Sequence, residues 1–187
     1  PDPRVAVNGK SLGRVAPGSF FVIERTWASG DVVRLDFPMA TRLARGINDS
    51  VAVLRGPLLY SLLLGEEPWE SKAEFGGGAF HAYEIRPAGA WNYALALTSQ
   101  GELQAEAAVS EQMPRQPFKA ADAPVRLKVK AFRTEQGGWG SFRTDFPARA
   151  VEPPSSPLAA PGQVEDITLV PYGATQIRVT LFPWAKR

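Results

Sequence analysis

The sequence of 187 residues contains no cysteine and one histidine, His81. Without cysteine, the chain has no disulfide framework, no thiolate zinc site, no iron–sulfur cluster and no cysteine nucleophile. One histidine cannot form a histidine-rich metal site, and it leaves a single candidate imidazole base. No phosphate-binding loop or dinucleotide-binding fingerprint occurs, and the acidic residues lack the spacing of a calcium loop. We therefore predict no metal site and no cofactor.

The sequence also lacks a large excess of either positive or negative residues. The chain has 21 Lys and Arg against 19 Asp and Glu, a formal net charge of +2. Residues 1–114 carry a net charge of −3 and residues 115–187 a net charge of +5, which weakly indicates two units. Basic residues do not cluster as a nucleic-acid surface requires. The longest apolar stretch, 58–64, is too short to span a bilayer. We expect neither nucleic acid nor a membrane as partner.

The beginning of the sequence lacks the charged and then apolar pattern of a signal peptide. It also lacks an initiating methionine, so we expect the chain to be a fragment of a longer protein. The compartment stays open, with a secreted or periplasmic parent as one alternative.

Glycine and proline are abundant, with 17 of each, and hydrophobic residues make up 44% of the chain. Many turns combined with enough apolar residues indicate short strands rather than long helices. Residues 32–37 and 125–133 alternate between apolar and polar side chains, which is typical of half-buried strands. The sequence therefore predicts an all-β, antiparallel β-sandwich of jelly-roll type, built of about a dozen short strands.

Acidic residues are the first candidates for catalysis, because glycoside hydrolysis needs two carboxyl groups across one bond. Four glutamates lie within nine positions, but their polar, glycine-rich surroundings favour a solvated loop: Glu66, Glu67, Glu70 and Glu74. For Glu24, beside Arg25, an ion pair or an outward position is favoured, and for His81 a packed or surface position. We predict no catalytic residue.

The five tryptophans are the strongest candidates for binding. Exposed aromatic rings stack on sugar rings, but tryptophan is more often a core residue. Trp91 shares a strand face with Tyr93, which favours the core. Trp69 and Trp139 lie in loop-like sequence, and we predict that these two contact either carbohydrate or another domain.

Several segments together resemble the C-terminal region of glycoside hydrolase family 127, the β-L-arabinofuranosidase-like proteins, also known as domain of unknown function 1680. The most specific motifs are the W-x-x-GD-V hairpin, LRGPL-x-Y and LVPYG-x-T-x-x-R-V-T. The segments follow the order of the family: VAVNGK (5–10), IERTWASGDVVRLDFPM (23–39), VAVLRGPLLYSL (51–62), WNYAL (91–95), PPSSP (153–157) and ITLVPYGATQIRVTLFP (167–183).

The resemblance implies an N-terminal α/α barrel with a zinc-bound cysteine nucleophile and a glutamate, followed by β-sandwich domains. No catalytic residue of that barrel corresponds to any position here. The family has a further strand before the VNG turn, so the resemblance implies an unpaired strand edge or an incomplete core. We predict two small β domains, 1–114, lacking its first strand, and 115–187.

Our leading hypothesis is a non-catalytic accessory β-sandwich region of a glycoside hydrolase-like protein. Its partner would be the N-terminal catalytic barrel of the same polypeptide, and the chain alone would not be an enzyme. One alternative is a carbohydrate-binding module, with Trp69 and Trp139 as contacts. Another alternative is a structural or oligomerisation module that buries these aromatic residues in an interface.

Overall fold

A computed structural model describes residues 2–75, 80–134, 152–159 and 162–187, without the side chains of 71–75 and 80–82. Within these ranges the chain forms β-strands and three short 3-10 turns, so the predicted all-β class is confirmed. The chain divides into two compact units, Pro1–Ala40 and Thr41–Arg187.

The first unit is a three-stranded antiparallel sheet of β1 (Arg4–Val7), β2 (Lys10–Arg14) and β3 (Val33–Asp36), with β1 in the centre. The turn between β1 and β2 is the predicted Asn8–Gly9 pair, at φ of 50° and 78°. Such left-handed φ values suit asparagine and glycine, and they give the turn the twist that a hairpin needs.

One face of this sheet is apolar and only half covered. Val5 is paired with Leu35 and Val7 with Val33, and directly opposite residues share a face. Val5 and Val7 are buried, whereas Val33 and Leu35 are 45% and 56% exposed. Among the described residues, β3 pairs with β1 alone, so its second edge is unpaired.

The second unit is larger and contains eleven strands in its described residues. They are β4 (Thr41–Arg45), β5 (Val51–Arg55), β6 (Leu58–Leu62), β7 (Glu66–Phe75), β8 (Phe80–Pro87), β9 (Tyr93–Leu97), β10 (Ala105–Val109), β11 (Val125–Arg133), β12 (Gln163–Pro171), β13 (Leu181–Phe182) and β14 (Trp184–Lys186).

Nine of these strands form one continuous sheet that folds into two layers. In the first layer β5 pairs with β4 on one edge, and with β13 and the start of β6 on the other. In the second layer β11 pairs with β12 on one edge and with β9 and β10 on the other. The end of β6 pairs with β12, so β6 joins the layers. The remaining strand, β14, runs parallel to β9.

The hydrophobic core lies between these layers. Val51 and Val53 of β5 share a core cluster with Leu95, Leu127 and Leu169 of the other layer. None of the strands β9, β11 and β12 pairs with β5 along the sheet. The contact between the valines of β5 and the leucines of those strands is therefore face to face, as in a β-sandwich. Each of these five side chains is completely buried.

The predicted domain border at 114/115 falls inside this second unit. Strands β10 and β11, on either side of that border, pair directly from Ala105↔Val129 to Val109↔Val125. The proline-rich segment between them resembles a linker in sequence, but it connects neighbouring strands. It is held in place where Arg126 donates hydrogen bonds to the carbonyls of Ala120 and Ala121.

The polar stretch that begins at Glu66 is a strand rather than the loop predicted from its composition. Strand β7 pairs with β8 as an antiparallel hairpin, from Glu66↔Pro87 to Phe75↔Phe80. The strand forms because its backbone is hydrogen-bonded to that of β8. These bonds outweigh the low strand propensity of its glutamates.

We expect Gly162→Ala to lower the free energy of unfolding by more than about 1 kcal/mol. Gly162 has φ +88°, and an added Cβ would overlap the carbonyl oxygen of Arg133, the last residue of β11, which pairs with the neighbouring Gln163. Gly89→Ala is the matched control, because Gly89 lacks a positive φ and has open space around it. Urea unfolding followed by tryptophan fluorescence measures both; equal effects would contradict the expectation.

Candidate functional site

The β7–β8 hairpin brings Trp69 together with three charged side chains. Trp69 is directly opposite Glu84, and Glu67 is directly opposite Arg86. Because alternate residues of a strand share a face, these four side chains lie on one face of the hairpin. Trp69 was predicted to lie in a loop; the structure places it within a strand.

Trp69 and Arg86 are stacked. The guanidinium carbon of Arg86 lies 3.9 Å from the centre of the Trp69 ring, a close cation–π contact. Nη2 of Arg86 donates to Oε2 of Glu84 at 3.2 Å. Nε of Arg86 is buried and has no hydrogen-bond partner, whereas Trp69 is 42% exposed. The Arg86 side chain as a whole is also 42% exposed, so both members of the stacked pair reach the surface.

Glu66 anchors the base of the hairpin. Its Oε1 accepts hydrogen bonds from the backbone N–H groups of Gln176 at 2.6 Å and Ile177 at 2.9 Å. The amide of Ala88 donates to the carbonyl of Gly65 at 2.7 Å. Glu66 is thus engaged by the backbone of a distant segment, which gives this carboxylate a structural role.

The remaining predicted candidates have different positions. Trp139 lies outside the described residues, as do the side chains of His81 and Glu74. Glu24 is exposed, and Arg25 pairs with Asp31 at 3.1 Å instead. The described side chains contain no group of three histidine or acidic residues that could hold a metal ion. No described helix is long and apolar enough to cross a membrane.

Trp91 and Tyr93 pack into the core, as their shared parity predicts. Tyr93 is a buried member of the main cluster, and Trp91 packs against it. The Tyr93 hydroxyl donates to Oε2 of Glu165 at 3.1 Å. Burial raises the pKa of Tyr93, and the Glu165 carboxylate raises it further. Both effects keep Tyr93 a neutral donor at physiological pH.

A groove of about 450 Å³ runs along the outer surface of β10, β11 and β12. Asp166 lies between Lys130 at 2.8 Å and Lys128 at 3.7 Å. The hydrogen bond from Lys130 lowers the pKa of Asp166, with smaller contributions from Lys128. Opposite charges alternate here, which is the pattern of a stabilising surface network rather than a binding site of one sign.

In the first unit, Asn8 and Asp31 join the two motifs VNG and W-x-x-GD-V. Nδ2 of Asn8 donates to Oδ1 of Asp31 at 2.6 Å, and Oδ1 of Asn8 accepts from the amide of Val32 at 2.8 Å. Asp31 also accepts from the amide of Ala28 at 2.8 Å. These bonds explain why the motif residues occur together: they fix one turn against the other.

In the second unit, the segment 153–157 docks on the turn before β5. Nδ2 of Asn48 donates to the carbonyl of Pro153, and the amide of Ser156 donates to the carbonyl of Asn48, both at 2.9 Å. Asn48 and Asp49 both have φ of 55°, a left-handed conformation that asparagine and aspartate tolerate. The indole N–H of Trp184 donates to the carbonyl of Asp49 at 2.8 Å. These motif residues therefore have structural roles.

Sequence reasoning missed Arg86 and Glu84 as neighbours of Trp69. Neither residue belongs to a motif, and their proximity depends on the register of β7 with β8. In the sequence, Glu67 and Trp69 are two residues apart, as are Glu84 and Arg86. In a strand this spacing places each pair on one face, and it is the signal that could have been used.

We expect Asp31→Asn to destabilise the first unit at pH 7 and to have a smaller effect below about pH 3.8. The amide of Ala28, then Asn8 and Arg25, hold the pKa of Asp31 below its usual value of about 3.8. A depressed pKa adds stability above pH 3.8, and this stability is lost as the pH falls through the folded-state pKa. Hydrogen exchange at the amides of Asn8 and Val32 measures the effect; a difference that does not change with pH would contradict it.

We expect Glu66→Ala to accelerate hydrogen exchange at the amides of Gln176 and Ile177 by about tenfold or more, because these donors lose a charged acceptor. Glu67→Ala is the matched control, since it removes an adjacent carboxylate that faces away from this anchor. Equal exchange in the two variants would exclude the anchoring role.

Comparisons with known proteins identify a family model and a solved structure to which this chain is similar. Residues 1–39 match the family model described as beta-L-arabinofuranosidase, GH127 middle domain, which coincides with the first compact unit. No curated protein matches the sequence. Among solved structures, the chain is similar to one described as the GH127 beta-arabinofuranosidase BT3674, with a TM-score of 0.52 and 17% identity.

That similarity covers 99% of this chain and 24% of the solved chain, so this chain spans about a quarter of the length of its relative. At this identity the shared feature is the fold. The family model and the fold together confirm the resemblance to glycoside hydrolase family 127 that the motifs predict.

Proposed function

We propose that this chain is a non-catalytic accessory β region of a glycoside hydrolase, and that it supports an α/α-barrel catalytic domain of the same polypeptide. The match to a GH127 middle domain supports an accessory region of a glycoside hydrolase. The absence of cysteine supports a non-catalytic role, since the resembling family uses a cysteine nucleophile.

The observation that carries the proposal is the incompletely covered first unit. Several of its large apolar side chains are exposed: Phe20, Val22, Trp27, Val32, Val33, Leu35, Phe37 and Met39. Single exposed apolar residues are ordinary, but a concentration of them marks an interaction surface. A unit of about 40 residues without a disulfide rarely forms an adequate core alone. A neighbouring domain that covers this surface would complete it.

The charged residues of the second unit also support a non-catalytic role. Glu66 is bonded to backbone amides, and the Glu84 carboxylate is paired with Arg86. A retaining or inverting glycosidase needs two carboxyl groups that face each other across the bond to be cleaved. Glu66 and Glu84 have structural partners of this kind instead.

Two other functions remain as alternatives. A structural or oligomerisation module would cover the exposed apolar side chains of the first unit with a second copy of the chain. A carbohydrate-binding module would use the exposed ring of Trp69.

We expect the chain of 187 residues to show no turnover of β-arabinofuranosides. In the full-length natural protein, we expect Leu35→Asp to lower activity by tenfold or more, because a charge would then be buried against the partner domain. In the isolated chain the same change should be nearly neutral, since Leu35 is 56% exposed. Glycosidase assays and urea unfolding provide the measurements.

Arg34→Ser is the matched control, because Arg34 is adjacent in β3 and lies on the opposite face of the sheet. Mutation-sensitive turnover by the isolated chain would overturn the proposal, as would unchanged activity of the full-length protein that carries Leu35→Asp. A dimer of the isolated chain that Leu35→Asp dissociates, seen by analytical ultracentrifugation, would favour the oligomerisation module.

A further inference from the structure

The face of the β7–β8 hairpin that bears Trp69 presents an aromatic ring outward. The guanidinium of Arg86 stacks on one side of the ring at 3.9 Å, and Trp69 keeps 42% of its surface exposed. The stacked cation favours one orientation of the ring plane, because tilting the ring would break the contact. The result is a flat apolar surface held in a defined orientation.

Hydrogen-bonding groups surround this ring. Glu84 lies directly across the ladder from Trp69, and Glu67 directly across from Arg86. Carboxylates accept hydrogen bonds, and the guanidinium donates several in a fixed plane. A sugar ring has C–H groups on one face and hydroxyl groups around its edge. The hairpin face has the complementary arrangement, with an aromatic plane in the middle and donors and acceptors beside it.

The net charge of this hairpin face limits the class of ligand that it can bind. The two carboxylates of Glu67 and Glu84 face one guanidinium, Arg86, so this face carries a net charge of −1 at neutral pH. Uronic acids, sulfated sugars, phosphates and nucleic acids would be repelled. The surface therefore suits an uncharged glycan.

The hairpin is also held at its base. The Glu66 carboxylate binds two backbone amides of the segment after β12, and the Gly65 and Ala88 backbones are bonded to each other. A ligand that binds to a preorganised surface loses less free energy in ordering it.

We propose that the hairpin face formed by Glu67, Trp69, Glu84 and Arg86 binds neutral oligosaccharides, with one sugar residue stacked on Trp69. This site gives the carbohydrate-binding alternative named above a defined surface and a class of ligand, and it does not depend on the accessory role. The accessory role rests on the first unit and the binding site on the hairpin, so the two can fail separately.

The test titrates the chain of 187 residues with neutral hexasaccharides of arabinose, xylose and glucose, and with oligogalacturonate as the acidic counterpart. Indole N–H resonances of the tryptophans report binding. We expect saturable shifts of the Trp69 resonance with at least one neutral series and none with oligogalacturonate. Trp69→Ala should weaken binding at least tenfold, and Trp69→Phe, which keeps an aromatic plane, should weaken it less.

Trp27→Ala is the matched control. Trp27 is 49% exposed and has the guanidinium of Arg25 5.0 Å from its ring, but it lies in the first unit. We expect this variant to bind as the parent chain does. Circular dichroism checks that each variant is folded.

Three results of the titrations would overturn the proposal, and one result of the control variant would do the same. The three titration results are no saturable binding of any neutral series at about 10 mM, binding that Trp69→Ala leaves unchanged, and a preference for oligogalacturonate. An equal loss in Trp27→Ala and Trp69→Ala would also do so, since it would indicate nonspecific contact with exposed tryptophans.

Discussion

The sandwich of the second unit depends on backbone segments that begin in one layer and end in the other. Strand β6 starts beside β5 at Leu59↔Leu54 and ends beside β12 at Leu62↔Leu169. The last strands repeat this path: Phe182 pairs with Val51 in the first layer, and Trp184 pairs with Leu95 in the second. These crossings hold the two apolar faces together, so the layers cannot separate without breaking backbone hydrogen bonds.

The candidate binding face is a consequence of this arrangement. The hairpin leaves the sandwich directly after β6 and returns just before β9, so both of its ends are set by core strands. The segment that Glu66 contacts follows β12, to which the end of β6 is paired. The position of Trp69 is therefore coupled to the core through short connections. A surface of this kind needs few residues of its own because the sandwich orients it.

The local patterns of the sequence predict much of this fold. Alternation in 125–133 predicts β11, and Asn8–Gly9 predicts the first hairpin, because both signals depend on neighbouring residues. Two features depend on which distant backbone segments pair: the border between the two units and the formation of strand β7. Amino-acid composition does not indicate this pairing. The proline-rich stretch before β11 resembles a linker, and the glutamates of β7 resemble a loop. For the same reason Trp69 could be singled out from the sequence, while its partners Glu84 and Arg86 could not.

The unpaired edge of β3 bears on how this chain behaves at high concentration. An exposed strand edge with apolar side chains is a template for pairing between molecules. Strand β3 carries Arg34 and Asp36 between its apolar residues, and these two are ion-paired at 2.8 Å on the face opposite Val33 and Leu35. Charged side chains within an edge strand disfavour its pairing with strands of other molecules. Arg34 and Asp36 therefore lower the tendency of this edge to aggregate.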